Sequence, residues 1–222
     1  MKMKNIGNMQ KFFLCTVALL MVTFGSAQQM KKASAEQAKT MLETVNKAAS
    51  SVKTMQCDFT QTRKSAMLKN DAVSKGKMYY SGKKLKWAYT TPDKYAMVVV
   101  DNGKSQEVFL QTKDGSKAMD GQGGQLFKGI ARLVMGGVTG AALSENGEFM
   151  VEMYTQGDIW VAKLTPKKDK MKKMFTYMRL YISADRKYVN KVELHEASDD
   201  VTTIVFTNMK LNEKIDESVF SL

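Results

Sequence analysis

The stretch Gly76 to Gly103 reads G-K-M-Y-Y-S-G-K-K-L-K-W-A-Y-T-T-P-D-K-Y-A-M-V-V-V-D-N-G. Three runs rich in aromatic and β-branched residues are parted by Ser81-Gly82 and by Thr91-Pro92-Asp93, and Asn102-Gly103 opens a fourth. Such side chains suit a pleated, half-buried surface, and the punctuating residues suit tight turns, so the pattern predicts an antiparallel meander. Leu85, Trp87 and Tyr89 alternate with Lys84, Lys86 and Ala88, which gives one apolar and one wet face. Met78 and Tyr80 share the inward parity in the run before. What covers this apolar face sets what the molecule does.

Working outward, the run from Cys57 to Arg63 also has period two, with Phe59 as its inward anchor. Before it, Ser34-Ala35-Glu36-Gln37 matches a capping box. Ala38, Met41, Leu42, Val45, Ala48, Ala49, Val52 and Met55 follow at helical spacing, which predicts an amphipathic helix of about twenty residues lying on the sheet. Gln28 to Ala33 reads as a flexible lead-in, Lys64 to Ser74 as a polar loop and Asp114 to Gly124 as a mobile glycine-rich segment. Ser105 to Thr112 is a further strand with Val108 and Leu110 on one side.

Leu126, Phe127, Ile130, Leu133 and Val134 mark a second, very apolar helix that dissolves into Gly136-Gly137 and Gly140. Two readings stand side by side: a hinged lid over a cavity, or a core helix with a frayed end. Beyond Asn146-Gly147 come five more strands, Phe149 to Tyr154, Ile159 to Thr165, Phe175 to Ser183, Tyr188 to Glu196 and Val201 to Met209. Between two of them Lys167 to Lys173 forms a basic tip that includes Lys168 and Lys170. The expected fold is mainly β with α: nine or ten strands in a strongly curved antiparallel sheet, an incomplete or open β-barrel, with helices capping its concave apolar face.

The chain has 222 residues and a formal net charge of +12. Lys2, Lys4 and Lys11 precede an apolar run from Phe12 to Phe24 that ends in Gly25-Ser26-Ala27, the three parts of a secretory signal peptide. Residues 1–27 are therefore expected to be a cleaved leader and residues 28–222 a single exported domain. Cys15 leaves with the leader, so Cys57 has no internal disulfide partner and stability falls to the core. Export makes nucleic acid an unsuitable partner for the remaining basic charge. An anionic membrane surface or an acidic protein patch suits it, and so does a merely solvated face.

Reactive chemistry is sparse. His195 is the single histidine, and alternation with Val192 and Leu194 puts it with Glu193 on the outer face, expected to be solvated. There is no Cys/His cluster, no G-x-S-x-G and no H-E-x-x-H, so neither metal, cofactor nor enzymatic activity is expected. Methionine is abundant instead, with 18 in the chain, 14 of them beyond the leader. Its unbranched, polarizable side chain suits a surface that accommodates varied apolar shapes, although Met30, Met119 and Met171 lie among polar neighbours.

Met55-Gln56-Cys57-Asp58-Phe59-Thr60-Gln61-Thr62, Gly76-x-Met78, Leu85-x-Trp87 with Pro92 five residues on, and Asp101-Asn102-Gly103-Lys104 occur in an order and spacing that resembles the LolA-like periplasmic carriers of outer-membrane lipoproteins. Phe127-x-x-Ile130-Ala131-Arg132, Leu164-Thr165-Pro166-Lys167 and the ending from Asn212 to Phe220 also fit. The resemblance implies an open barrel that holds acyl chains of lipoproteins, taken from an ATP-driven exporter in the inner membrane and passed to an outer-membrane receptor or membrane surface by a monomer. By position it implies Phe59, Trp87 and Ile130 as cavity-wall or lid residues. With the inward parities, the expected cavity is Phe59, Met78, Tyr80, Leu85, Trp87, Tyr89, Val108 and Leu110, under a lid of Phe127, Ile130, Leu133 and Val134. The family's Arg-Pro turn is replaced here by Ser81-Gly82-Lys83-Lys84. Lys83, Lys84, Lys168 and Lys170 are the candidate cations for release or docking, without the planar fork of Arg. A lipid-binding adaptor or a free-lipid carrier on the same scaffold is the alternative.

Overall fold

The computed structural model describes residues 29–119, 121, 124, 127, 143 and 147–222. The leader segment 1–27 and the lid positions Ile130, Leu133 and Val134 lie outside the described residues. Twelve strands form one antiparallel sheet: β1 (Lys31–Lys32), β2 (Thr54–Lys64), β3 (Ala72–Ser81), β4 (Lys84–Thr91), β5 (Tyr95–Asp101), β6 (Gln106–Thr112), β7 (Gly115–Ala118), β8 (Phe149–Gln156), β9 (Ile159–Pro166), β10 (Phe175–Ile182), β11 (Val189–Glu196) and β12 (Val201–Leu211). Their spatial order is β1-β8-β9-β10-β11-β12-β2-β3-β4-β5-β6-β7. β1 and β7 do not pair with each other, so the sheet is curved but open.

The central meander forms where its alternation puts it. Met78 pairs with Trp87 and Trp87 with Met97 across β3, β4 and β5, with Leu85 opposite Val99 in the next inward layer. Gly82 and Gly103 turn the chain at φ 53° and 84°, a region open to glycine without steric penalty. In β2, Met55, Cys57 and Phe59 are buried and their neighbours are not. Phe59 lies opposite Gly76, where a Cβ would come within 2.6 Å of the Phe59 ring and 2.0 Å of the Ala88 carbonyl. The glycine is the space the aromatic ring fills.

α1 (Ala35–Ser50) starts at the capping box: the Gln37 amide donates to Ser34 Oγ and the Ser34 amide to Gln37 Oε1. It buries Met41, Val45 and Ala49 against the sheet. At 16 residues it is shorter than the apolar spacing suggested, because Val52 lies in the turn and Met55 in β2. Two further expectations give way to backbone pairing. Part of the lead-in is β1, held on β8 with a Lys32–Glu152 ion pair, and part of the glycine-rich segment is β7 on β6, which brings the strands to twelve. A strand edge recruits neighbouring backbone whatever its side chains. The basic tip contains a one-turn helix, α2 (Asp169–Lys172).

The C-terminal segment crosses the outer face. Glu217 accepts from Lys84 at 2.6 Å and the Ser221 carbonyl from Gln111 at 3.0 Å, so the tail bridges β4 and β6 across β5. Val98 points outward, out of phase with Met97 and Val99, yet is fully buried, and the tail carries the buried Phe220 over this region.

Candidate functional site

Among the described residues the inward side chains do not fill the bowl. A cavity of about 400 Å³ lies on the concave side, lined by Trp87 and Tyr89 of β4, Met97 of β5, Phe175 of β10, Leu194 of β11 and Ile204 of β12, together with Phe127 and Met174. Gln61, Arg63, Thr202, Glu196, Ser198 and Lys173 complete the lining. These polar groups gather at one end of the strands, since Arg63 pairs with Thr202 next to the β11–β12 turn. The cavity therefore has an apolar floor and a polar mouth.

The floor is fixed by an aromatic cluster. Phe59 packs on Trp87 with ring centroids 4.6 Å apart and meets Tyr89 edge-on at 5.2 Å, while Phe206 meets Trp87 edge-on at 5.9 Å. The Tyr89 hydroxyl donates to Gln61 Oε1 at 3.0 Å, and burial pushes its pKa up to about 12, so it stays neutral. At the mouth Arg63 Nη2 donates to Asp200 at 2.7 Å and to Glu196 at 3.2 Å, and Thr202 Oγ1 donates to Glu196 at 3.2 Å. Ser65 and Arg63 hold the Asp200 carboxyl below its ordinary range. The Arg63 charge is thus satisfied within the protein, whereas the Lys173 ammonium makes no ion pair among the described residues.

Of the residues expected at the site, Trp87, Tyr89 and Phe127 line the cavity. Phe59, Met78, Tyr80, Leu85 and Val108 are buried in the packed core, Phe59 directly behind the wall, and Leu110 is only partly buried. Lys84 is tied to Glu217 and Lys168 to Glu148, at 2.6 Å each, while Lys83 and Lys170 make no ion pair among the described residues. Sequence reasoning missed Gln61, Arg63, Met97, Leu194, Thr202 and Ile204. Gln61 and Arg63 continue the parity of Phe59, and polarity alone hid them.

Other reactive groups stand apart from the cavity. Cys57 is buried, and burial pushes its thiol up to about 12, which leaves it an inert core residue. His195 is on the outer face as expected, but it is less solvated than the alternation suggested. It stacks on Tyr177 at 4.1 Å with a fifth of its side chain exposed, and burial together with Arg179 pushes its pKa down. Among the described residues no three His, Cys, Asp or Glu side chains converge as a metal site, and no helix is long and apolar enough to cross a membrane.

No curated protein is significantly similar to the chain in sequence. Among solved structures, a LolA superfamily protein from Nitrosomonas europaea is 12% identical, with 83% of this chain and 97% of that chain covered at a TM-score of 0.46. The lipoprotein LppX of Mycobacterium tuberculosis is 10% identical, with 82% and 99% covered at 0.48. The family model for the outer membrane lipoprotein carrier protein LolA matches residues 50–222, from just before β2 to the last residue, and the chain belongs to that family.

Proposed function

We propose that the protein is a carrier that shelters acyl chains of lipoproteins in the cavity of its curved sheet and moves them between the two membranes of the envelope. The observation that carries this reading is the cavity itself: an unfilled apolar floor with a polar mouth, in a member of the LolA family. A cavity of about 400 Å³ is of the size of small-molecule ligand sites, enough for an acyl chain, taken here as about a dozen methylenes. Their burial offsets roughly 10 kcal/mol of exposure to water, at about 0.8 kcal/mol each. A group at the end of the chain would meet Gln61, Thr202, Ser198 and Lys173.

In this reading residues 1–27 direct export and residues 28–222 act in the periplasm as one domain and a monomer. Cargo arrives from an inner-membrane ATP-driven exporter and leaves at an outer-membrane receptor or membrane surface, with no chemistry performed on it. The capacity of about one chain also favours the second reading, carriage of a free single-chain lipid. Native mass spectrometry of protein purified from its own envelope, with extraction of the bound material, separates the two by the mass of the adduct. Met97→Lys places a cation on a half-buried wall position, and it is expected to abolish the adduct while the thermal melt stays cooperative. Wild-type protein without adduct, or an adduct indifferent to Met97→Lys, would sink the carrier reading.

A further inference from the structure

The loop between β2 and β3 carries the most exposed large apolar side chain among the described residues. Met67 is 94% exposed and Leu68 45%, and Val73 at the start of β3 is 47% exposed. A monomer surface tolerates single exposed apolar residues, but two adjacent ones at a loop tip, with a third five positions on in β3, mark a surface that suits a partner. The loop does not collapse onto the body, because it is braced locally: the Leu68 amide donates to the Ser65 carbonyl at 3.1 Å and the Met67 amide to Ser65 Oγ at 3.3 Å. The side chains are thereby held out.

Position and charge identify the partner. β2 ends at Lys64 opposite Val201, and Ser65 hydrogen-bonds Asp200, so the loop is rooted at the cavity mouth beside Arg63 and Ser198. Lys64, Lys69 and Lys75 flank the tip, with Asp71 as the loop's only acid, 3.9 Å from Lys64. α2 and the cavity residue Lys173 stand at the same end, because β9 ends and β10 begins there. Lys170 and Lys173 are unpaired among the described residues. An apolar tip in a collar of lysines matches a lipid surface, where the tip enters the acyl boundary and ammonium groups meet phosphates.

We propose that this end of the molecule docks on an anionic phospholipid surface, Met67 and Leu68 inserting, so that the cavity mouth faces the bilayer. Docked this way, an acyl chain passes between bilayer and cavity without crossing water. The purpose rests on the carrier reading, whereas the docking rests on the exposed tip and the lysines around it.

The test is flotation of the purified protein with vesicles of phosphatidylethanolamine and phosphatidylglycerol, compared with phosphatidylcholine alone. Co-flotation with the anionic vesicles is expected, weakened by salt and reduced about tenfold or more by Met67→Glu with Leu68→Glu, at unchanged thermal stability. Met67→Trp is expected to shift its emission to the blue on addition of the same vesicles. Absence of flotation, or flotation and emission indifferent to these changes, overturns the proposal and leaves the tip to a protein partner. Met97→Lys is expected to float like the parent, so loss of carriage and loss of docking are read separately.

Discussion

At the scale of single residues, Gly76 does more than permit flexibility. Its missing side chain leaves room for Phe59, whose ring is the backing for Trp87 and Tyr89 on the cavity wall. One of the contacts a Cβ would make is a backbone carbonyl at 2.0 Å, which cannot rotate aside. Gly76→Ala is therefore expected to destabilise by about 3 kcal/mol, at the top of the usual range for overpacking, and to lower the thermal midpoint by roughly 6 °C or more. A midpoint within a degree of the parent would show that the meander yields at this point. Alternation made Phe59 legible as inward, but the dependence of Phe59 on Gly76 needs the register between β2 and β3.

At the scale of elements, the strands were legible where alternation was clean and hidden where pairing came from the backbone. β4 reads from Leu85, Trp87 and Tyr89, whereas β1 is Lys31-Lys32 and β7 is Gly-Ser-Lys-Ala, sequences with no β signature. Both are recruited by the edges of β8 and β6. The C-terminal tail is the other element that only the fold explains. Phe220 is buried on the convex side, with Lys84 5.8 Å above its ring and paired to Glu217. Lys84, a candidate for release or docking by sequence, thereby has a structural partner. Phe220→Ala should uncover the outward Val98 and cost about 3 kcal/mol, measurable by urea denaturation. If stability is unchanged, the tail is not a clasp on β4 to β6.

At the scale of the whole molecule, an unfilled cavity is a stability deficit that a ligand makes good. The lining of an empty cavity lacks contacts on one side, so a bound chain should tighten the native state without a change of fold. For a ligand at about 100 times its Kd the gain is roughly 2.7 kcal/mol, an upward shift in midpoint of about 5–10 °C for a domain of this size. Delipidated protein titrated with a long-chain fatty acid in a thermal-shift measurement checks this, with Met97→Lys expected to show no shift. A parent midpoint that stays put at saturating fatty acid contradicts a cavity built for acyl chains.

Alternation alone sets the inward face of the main strands. A strand's period of two leaves Met78, Leu85, Trp87 and Phe59 no other side once the apolar face is turned from water, and the capping box started α1 in the same local way. Which part of that inward set meets no partner among the described residues is a matter of the fold. Met78, Tyr80, Leu85 and Val108 meet partners and close into core, while Trp87 and Tyr89 face Leu194 and Ile204 across open space, from strands about a hundred residues away in the chain. Curvature, register and the placing of loops set that gap, and they arise from pairings between distant strands. The polar mouth escaped for the same reason: Arg63, Glu196 and Asp200 read as surface charges until β2 and β12 lie side by side.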